Sequence, residues 1–164
     1  MKKTLIVYFS LEGNTDYAAR KIADSVGADL LALEPVMPYP KKGISKYLIG
    51  GMKASTHETP GLKPYKISPA GYDYIIFGTP VWASNYAPPL RTFIRDNKDA
   101  LKGKKLAFFA CSRGGNAAPC FKELAKDLKA DLVSVQVSLI DPLAKKSKET
   151  DAKIEEFCER VKEG

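Results

Sequence analysis

The chain has 164 residues, of which 45% are hydrophobic and 27% charged, and it carries a net charge of +7. That is the length of one domain with enough apolar content for a full core, which excludes a disordered chain. No apolar run approaches the roughly 18 residues of a membrane span, and the basic residues lack the aromatic interleaving of a nucleic-acid surface, so neither membrane nor nucleic acid is expected as a partner.

The first apolar run, Leu5 to Phe9, reads as a strand buried on both faces. It follows Met1-Lys2-Lys3 but ends without a small-residue cleavage site, so it is not a signal peptide and the protein is expected to be cytoplasmic. Ser10-Leu11-Glu12-Gly13-Asn14-Thr15 follows, and then Ala18, Ala19, Ile22, Ala23 and Val26 recur at helical spacing. A small, hydroxyl-rich loop between a buried strand and a helix N-terminus presents unpaired N–H groups to an anion. Ser10, Asn14 and Thr15 add side-chain donors, so this loop is a phosphate candidate.

Leu30 to Leu33 reads as a second strand, after which Pro35, Pro38 and Pro40 interrupt regular structure. Ile44, Tyr47, Leu48 and Met52 are spaced for a short amphipathic helix, and residues 57–71 read as an irregular loop. Long loops in compact domains are often lids; a lid and a plain connection both stay open here. Tyr39, Tyr47 and Tyr65 are candidates for an exposed contact surface, and His57 reads as a surface residue.

Tyr74 to Phe77 is a third buried strand, and Pro88-Pro89 opens a helix with Leu90, Phe93 and Ile94 on one face. Leu106 to Ala110 is a fourth strand, Phe121 to Leu128 a helix stripe, Leu132 to Val137 an alternating edge strand, and Ile154 to Val161 a last helix. Cys111, Cys120 and Cys158 form no Cys-x-x-Cys pair and read as reduced thiols. Strands alternating with helices predict one α/β domain, a three-layer sandwich with a five-stranded parallel sheet in the order 2-1-3-4-5 and helices on both faces. On such a sheet ligands bind beyond the carboxyl ends of the strands, where the strand order reverses.

That topology brings three loops together. The second is Thr79-Pro80-Val81-Trp82-Ala83-Ser84, with the only tryptophan; the third is Cys111-Ser112-Arg113-Gly114-Gly115-Asn116, whose glycines let backbone approach a planar polar ring. A phosphate cradle, an aromatic wall and a backbone-rich edge suit a phosphorylated planar heterocycle.

The pattern Ile6-Val7-Tyr8-x-Ser10-x-x-Gly13-x-Thr15-x-x-x-Ala19-x-x-Ile22 resembles the N-terminal signature of the flavodoxin family, and the strand pattern extends the likeness over nearly the whole chain. The resemblance implies a bound FMN. Its phosphate would lie on Ser10, Leu11, Glu12, Gly13, Asn14 and Thr15, with Glu12 acting through its backbone. Thr79, Pro80, Val81, Trp82, Ala83 and Ser84 would flank the ring, and Cys111, Ser112, Gly114, Gly115 and Asn116 its polar edge. It implies an electron carrier between redox partner proteins, working as a monomer or weak homodimer with no catalytic side chain and no metal. The alternative is an FMN-dependent NAD(P)H oxidoreductase acting on a quinone or similar small acceptor, with residues 35–70 as a lid that puts Tyr47, Met52 or Tyr65 over the ring. Typical flavodoxins are acidic; this chain is basic, which points to partners with an acidic docking surface and to a less negative potential. No dinucleotide Gly-x-Gly-x-x-Gly, P-loop or Gly-x-Ser-x-Gly elbow is present.

Overall fold

The computed structural model of the protein describes residues 2–41, 45–131 and 133–164, and only the backbone of residues 45–48. Strand β1 (Thr4–Tyr8) leads into α1 (Asn14–Val26), β2 (Asp29–Ala32) and α2 (Ser45–Ser55). A single 3-10 turn at Pro69–Gly71 precedes β3 (Tyr74–Trp82), which folds back on the short β4 (Asn85–Tyr86). Helices α3 (Pro88–Asp96) and α4 (Lys98–Leu101), strand β5 (Lys105–Ser112), helix α5 (Ala118–Asp127), strand β6 (Gln136–Ile140) and helix α6 (Lys148–Glu163) complete the chain.

Five strands pair in parallel in the order β2-β1-β3-β5-β6, the arrangement read from the sequence, while β4 adds antiparallel to the end of β3. The layers follow from the two-residue period of a strand. Leu5 and Val7 turn to one face and pack with Phe77, Phe108, Phe93 of α3 and Leu124 of α5. Ile6 and Tyr8 turn to the other, with Phe109, Ile22 of α1 and Phe157 of α6. A central strand covered on both faces has to be apolar throughout, which is why these runs are continuous. Gly78 interrupts β3 for a packing reason: it lies opposite Phe109, and a Cβ there would stand 2.1 Å from the ring. The chain leaves β1 for β2 on one side and returns to β3 on the other, so the crevice between β1 and β3 opens at their carboxyl ends.

Several expectations change. The last strand lies at Gln136–Ile140, later than 132–137; Leu132 falls outside the described residues. Val133 joins the core on one face of the sheet, whereas Val135 and Val137 pack on the other, so the valine alternation spans a crossing of the sheet plane rather than one strand. Strand β3 continues through Trp82, where a loop was expected from Thr79. Tyr39 is buried, and Tyr65 packs on Phe93 with its hydroxyl accepting from Asn97 at 2.9 Å, so neither forms an exposed contact surface and Tyr65 does not stand over the crevice. The side chain of Tyr47 and all of Ile44 lie outside the described residues. His57 is exposed, with a positive φ of 58° just past the end of α2.

Candidate functional site

A cavity of about 520 Å³ lies at the carboxyl ends of β1, β3 and β5. Every candidate residue of the three loops lines it except Gly13 and Thr79. Thr79 is fully buried; its hydroxyl accepts from Ala87 N–H at 2.9 Å and donates to the Pro80 carbonyl at 2.8 Å, so it fastens the hairpin rather than facing a ligand. Gly13 lines an adjoining open cleft and acts through its backbone. Its φ of 100° is open to glycine and strained for other residues, and it lets the chain turn into α1.

The first loop is built to leave donors over. Ser10 Oγ accepts from Gly13 N–H at 3.2 Å, closing a tight turn. Gly13 then caps α1 with no side chain, so the orphan N–H groups of the first helical turn stay open to an anion at the positive end of the dipole. Two carboxylates in this stretch threaten that site, and both are turned onto cations. Asp16 accepts from Arg20 at 2.9 Å and from the Tyr8 hydroxyl at 2.5 Å. The Arg20 hydrogen bond, against the opposing effect of burial, holds its carboxyl below the usual range. Glu12 pairs with Arg113 of the third loop at 3.2 Å, which fits its expected role through the backbone.

Thr15 is buried and lines the cavity, and its side chain favours the charged form of the neighbouring Cys111 thiol. Burial pushes that thiol up to about 12, Thr15 opposing, so Cys111 is a protonated packing group and no nucleophile. Ser112 Oγ is buried with no hydrogen-bond partner among the described residues. Gly114 and Gly115, at φ 151° and 98°, present backbone to the cavity, and Asn116 Oδ1 accepts from Ala118 N–H at 2.9 Å just before α5.

Trp82 is half-buried and packed edge-on by Phe9 and Tyr39, with centroids 5.6 and 5.1 Å away. Ala83 and Ser84 form the two-residue turn beyond it, both at positive φ, 49° and 61°. The sequence reading missed Gly51 of α2 and Asp141 as lining residues and gave Arg113 no place in the set. Asp141 follows the end of β6, and its N–H donates to the Ser112 carbonyl at 2.8 Å. The carboxyl-end rule that selected the other loops applies equally to this strand end. Leu143 N–H donates to Asn14 Oδ1 at 3.0 Å, tying that same loop to the first one.

The sequence profile of the flavodoxin family matches residues 3–157. The chain belongs to the flavodoxin family. Among solved structures, it is similar to a protein of Bacteroides eggerthii described as a flavoprotein, at 26% identity over 98% of each chain with a TM-score of 0.73. It is also similar to a flavoprotein of Lactobacillus acidophilus solved in complex with FMN, at 22% identity over 96% of this chain and 99% of that one, TM-score 0.74. Flavodoxin 2 of Bacillus cereus, in its oxidised form, shares 24% identity over 98% of each chain, TM-score 0.59. The flavodoxin fold is thus carried from end to end. Among the described residues, no helix is long and apolar enough to cross a membrane.

Proposed function

We propose that this chain binds FMN in the cavity and carries electrons between protein partners. The observation that carries the reading is the open N-terminus of α1, capped by Gly13 with no side chain, whose Asn14 and Thr15 line a cavity shared with Trp82 and the Gly114-Gly115 backbone. Uncapped N–H groups at the positive end of a helix suit an anionic tail, and an aromatic side chain facing exposed backbone suits a planar ring with a polar edge. The FMN complex of the L. acidophilus flavoprotein, on the same fold, supports the choice. When bound, FMN supplies reversible one- and two-electron chemistry. The residues of this chain hold it: the Ser10–Thr15 loop and Thr15 hydroxyl the phosphate, Trp82 and the 83–84 turn the ring, Ser112 and the Gly114-Gly115 backbone its polar edge.

A carrier is favoured over a reductase by the basic charge of the chain, which suits docking of an acidic protein. Of the 35–70 segment, Gly51 reaches the cavity wall and Gly50 packs against Trp82. The net charge of +7 favours an acidic partner.

The test begins with reconstitution: flavin absorbance retained after removal of excess FMN, with flavin fluorescence quenched. The reconstituted protein is then mixed with a reduced acidic ferredoxin, and separately with NADPH plus a quinone. Fast reduction by ferredoxin that slows as salt rises is the expected result. Steady turnover of NADPH with quinone would replace the carrier by the reductase, and loss of all flavin on desalting would remove FMN itself.

A further inference from the structure

The Ala83–Ser84 turn is costly. Both residues are non-glycine at positive φ and both line the cavity, and the left-handed region is disfavoured for a residue with a Cβ. Two-residue hairpin loops with both centres left-handed favour Asn-Gly for this reason. Such strain persists where surrounding structure over-determines it.

The surrounding structure is a polar network under the turn, buried at Asn85 and Arg91 and partly exposed at Asp127. Asn85 Oδ1 accepts from Tyr86 N–H at 2.8 Å and from Arg91 Nη2 at 3.3 Å, while Asn85 Nδ2 donates to the Ala54 carbonyl of α2 at 3.4 Å. Arg91 Nη1 and the Tyr86 hydroxyl both donate to Asp127 Oδ2 at the end of α5, and the guanidinium carbon lies 4.4 Å from the centre of the Tyr86 ring. Arg91 is 8% exposed, and its Nε is buried without a partner among the described residues.

We infer that Arg91, Asn85 and Asp127 are positioning residues that hold the Ala83–Ser84 turn and α2 in place around the cofactor ring. None of them lines the cavity, so each acts through the elements it ties. The network reaches both walls: Asn85 fixes the turn and bonds α2, and α2 presses Gly50 against Trp82, where an added Cβ would lie 3.2 Å from Cε3. A partly buried ion pair whose Arg91 Nε is left without a partner among the described residues is a weak stabiliser compared with apolar packing, and its use here is geometric. The consequence for the cofactor rests on the FMN reading; the consequence for the turn does not.

Trp82 is the only tryptophan, so its time-resolved anisotropy in the flavin-free protein reports the order of the hairpin directly. The variants are Asn85→Ala, Arg91→Met and Asp127→Asn, the last keeping side-chain volume should Arg91→Met fail to fold. Phe157→Leu, in the opposite core, is the control for general destabilisation. The network variants are expected to raise the amplitude of fast Trp82 depolarisation at least about twofold, and Phe157→Leu to leave it unchanged. In the same variants FMN and riboflavin affinities are expected to fall by equal factors, about tenfold, because the phosphate loop is untouched. Anisotropy in Asn85→Ala and Asp127→Asn equal to wild type overturns the positioning role. Failure of wild type to bind either flavin overturns the FMN reading instead, while the anisotropy still decides on the network.

Discussion

Arg113 Nη2 lies 3.2 Å from Glu12 Oε1 and 3.4 Å from Oε2, a link between the third loop and the first beside the cavity they share. The pair reconciles an acidic residue with an anion site, because the guanidinium offsets a carboxylate that a bound phosphate would otherwise face. Arg113→Gln is therefore expected to weaken FMN binding by about two- to fivefold, the scale of an exposed ion pair. Glu12→Gln should not weaken it, and the double variant should return close to wild type. Fluorescence-quenching titrations at low and high salt check this; the Arg113 effect should shrink as salt rises.

Ser112 gives a prediction with opposite signs in the two states. In the flavin-free protein its buried hydroxyl has no partner among the described residues, so Ser112→Ala should stabilise that form by about 1 kcal/mol. On the FMN reading the same change removes a polar group from the wall of the cofactor site and should weaken affinity about two- to tenfold. Urea unfolding without flavin and a flavin titration read the two halves. A variant that loses stability and keeps its affinity would mean that Ser112 is a packing residue.

Thr15, 1% exposed and lining the cavity, separates phosphate from ring. Thr15→Val keeps the shape and removes the hydroxyl, so FMN binding should fall by roughly 1–3 kcal/mol while riboflavin binding stays within about twofold of wild type. Equal losses for both flavins would place the phosphate elsewhere.

Much of this site was legible before the fold because it lies at strand ends. The five apolar runs fixed the sheet, and the sheet fixed which loops meet. What was illegible depended on contacts between distant residues. Nothing local distinguishes Thr79 from Ser84, yet one is fastened to Ala87 and the other lines the cavity. Nor does Tyr39, set between prolines, show that it closes on Trp82 and Phe9. Asp141 was hidden by the misplaced last strand: with the edge strand read as 132–137, its carboxyl end fell short of the residue that bonds Ser112.

The buried thiols set an alkaline limit on stability. Burial pushes Cys120 up to about 12, and burial, opposed by Thr15, does the same for Cys111. An unfolded thiol ionises near about 8.5. Above that pH the unfolded chain releases protons that the folded chain keeps, so the unfolded state gains and stability falls as pH rises toward 12. The stabilisation is complete below the unfolded value. Each thiol contributes up to about 1.4 kcal/mol per pH unit within the window. Cys120, on the buried face of α5, does not line the cavity, so Cys120→Ala removes one share of that slope without touching the flavin. Urea unfolding of wild type and variant at pH 7, 9 and 10 checks it. The variant starts less stable, through the lost sulfur, and the gap should narrow as pH rises; a constant gap would show that Cys120 titrates alike in both states.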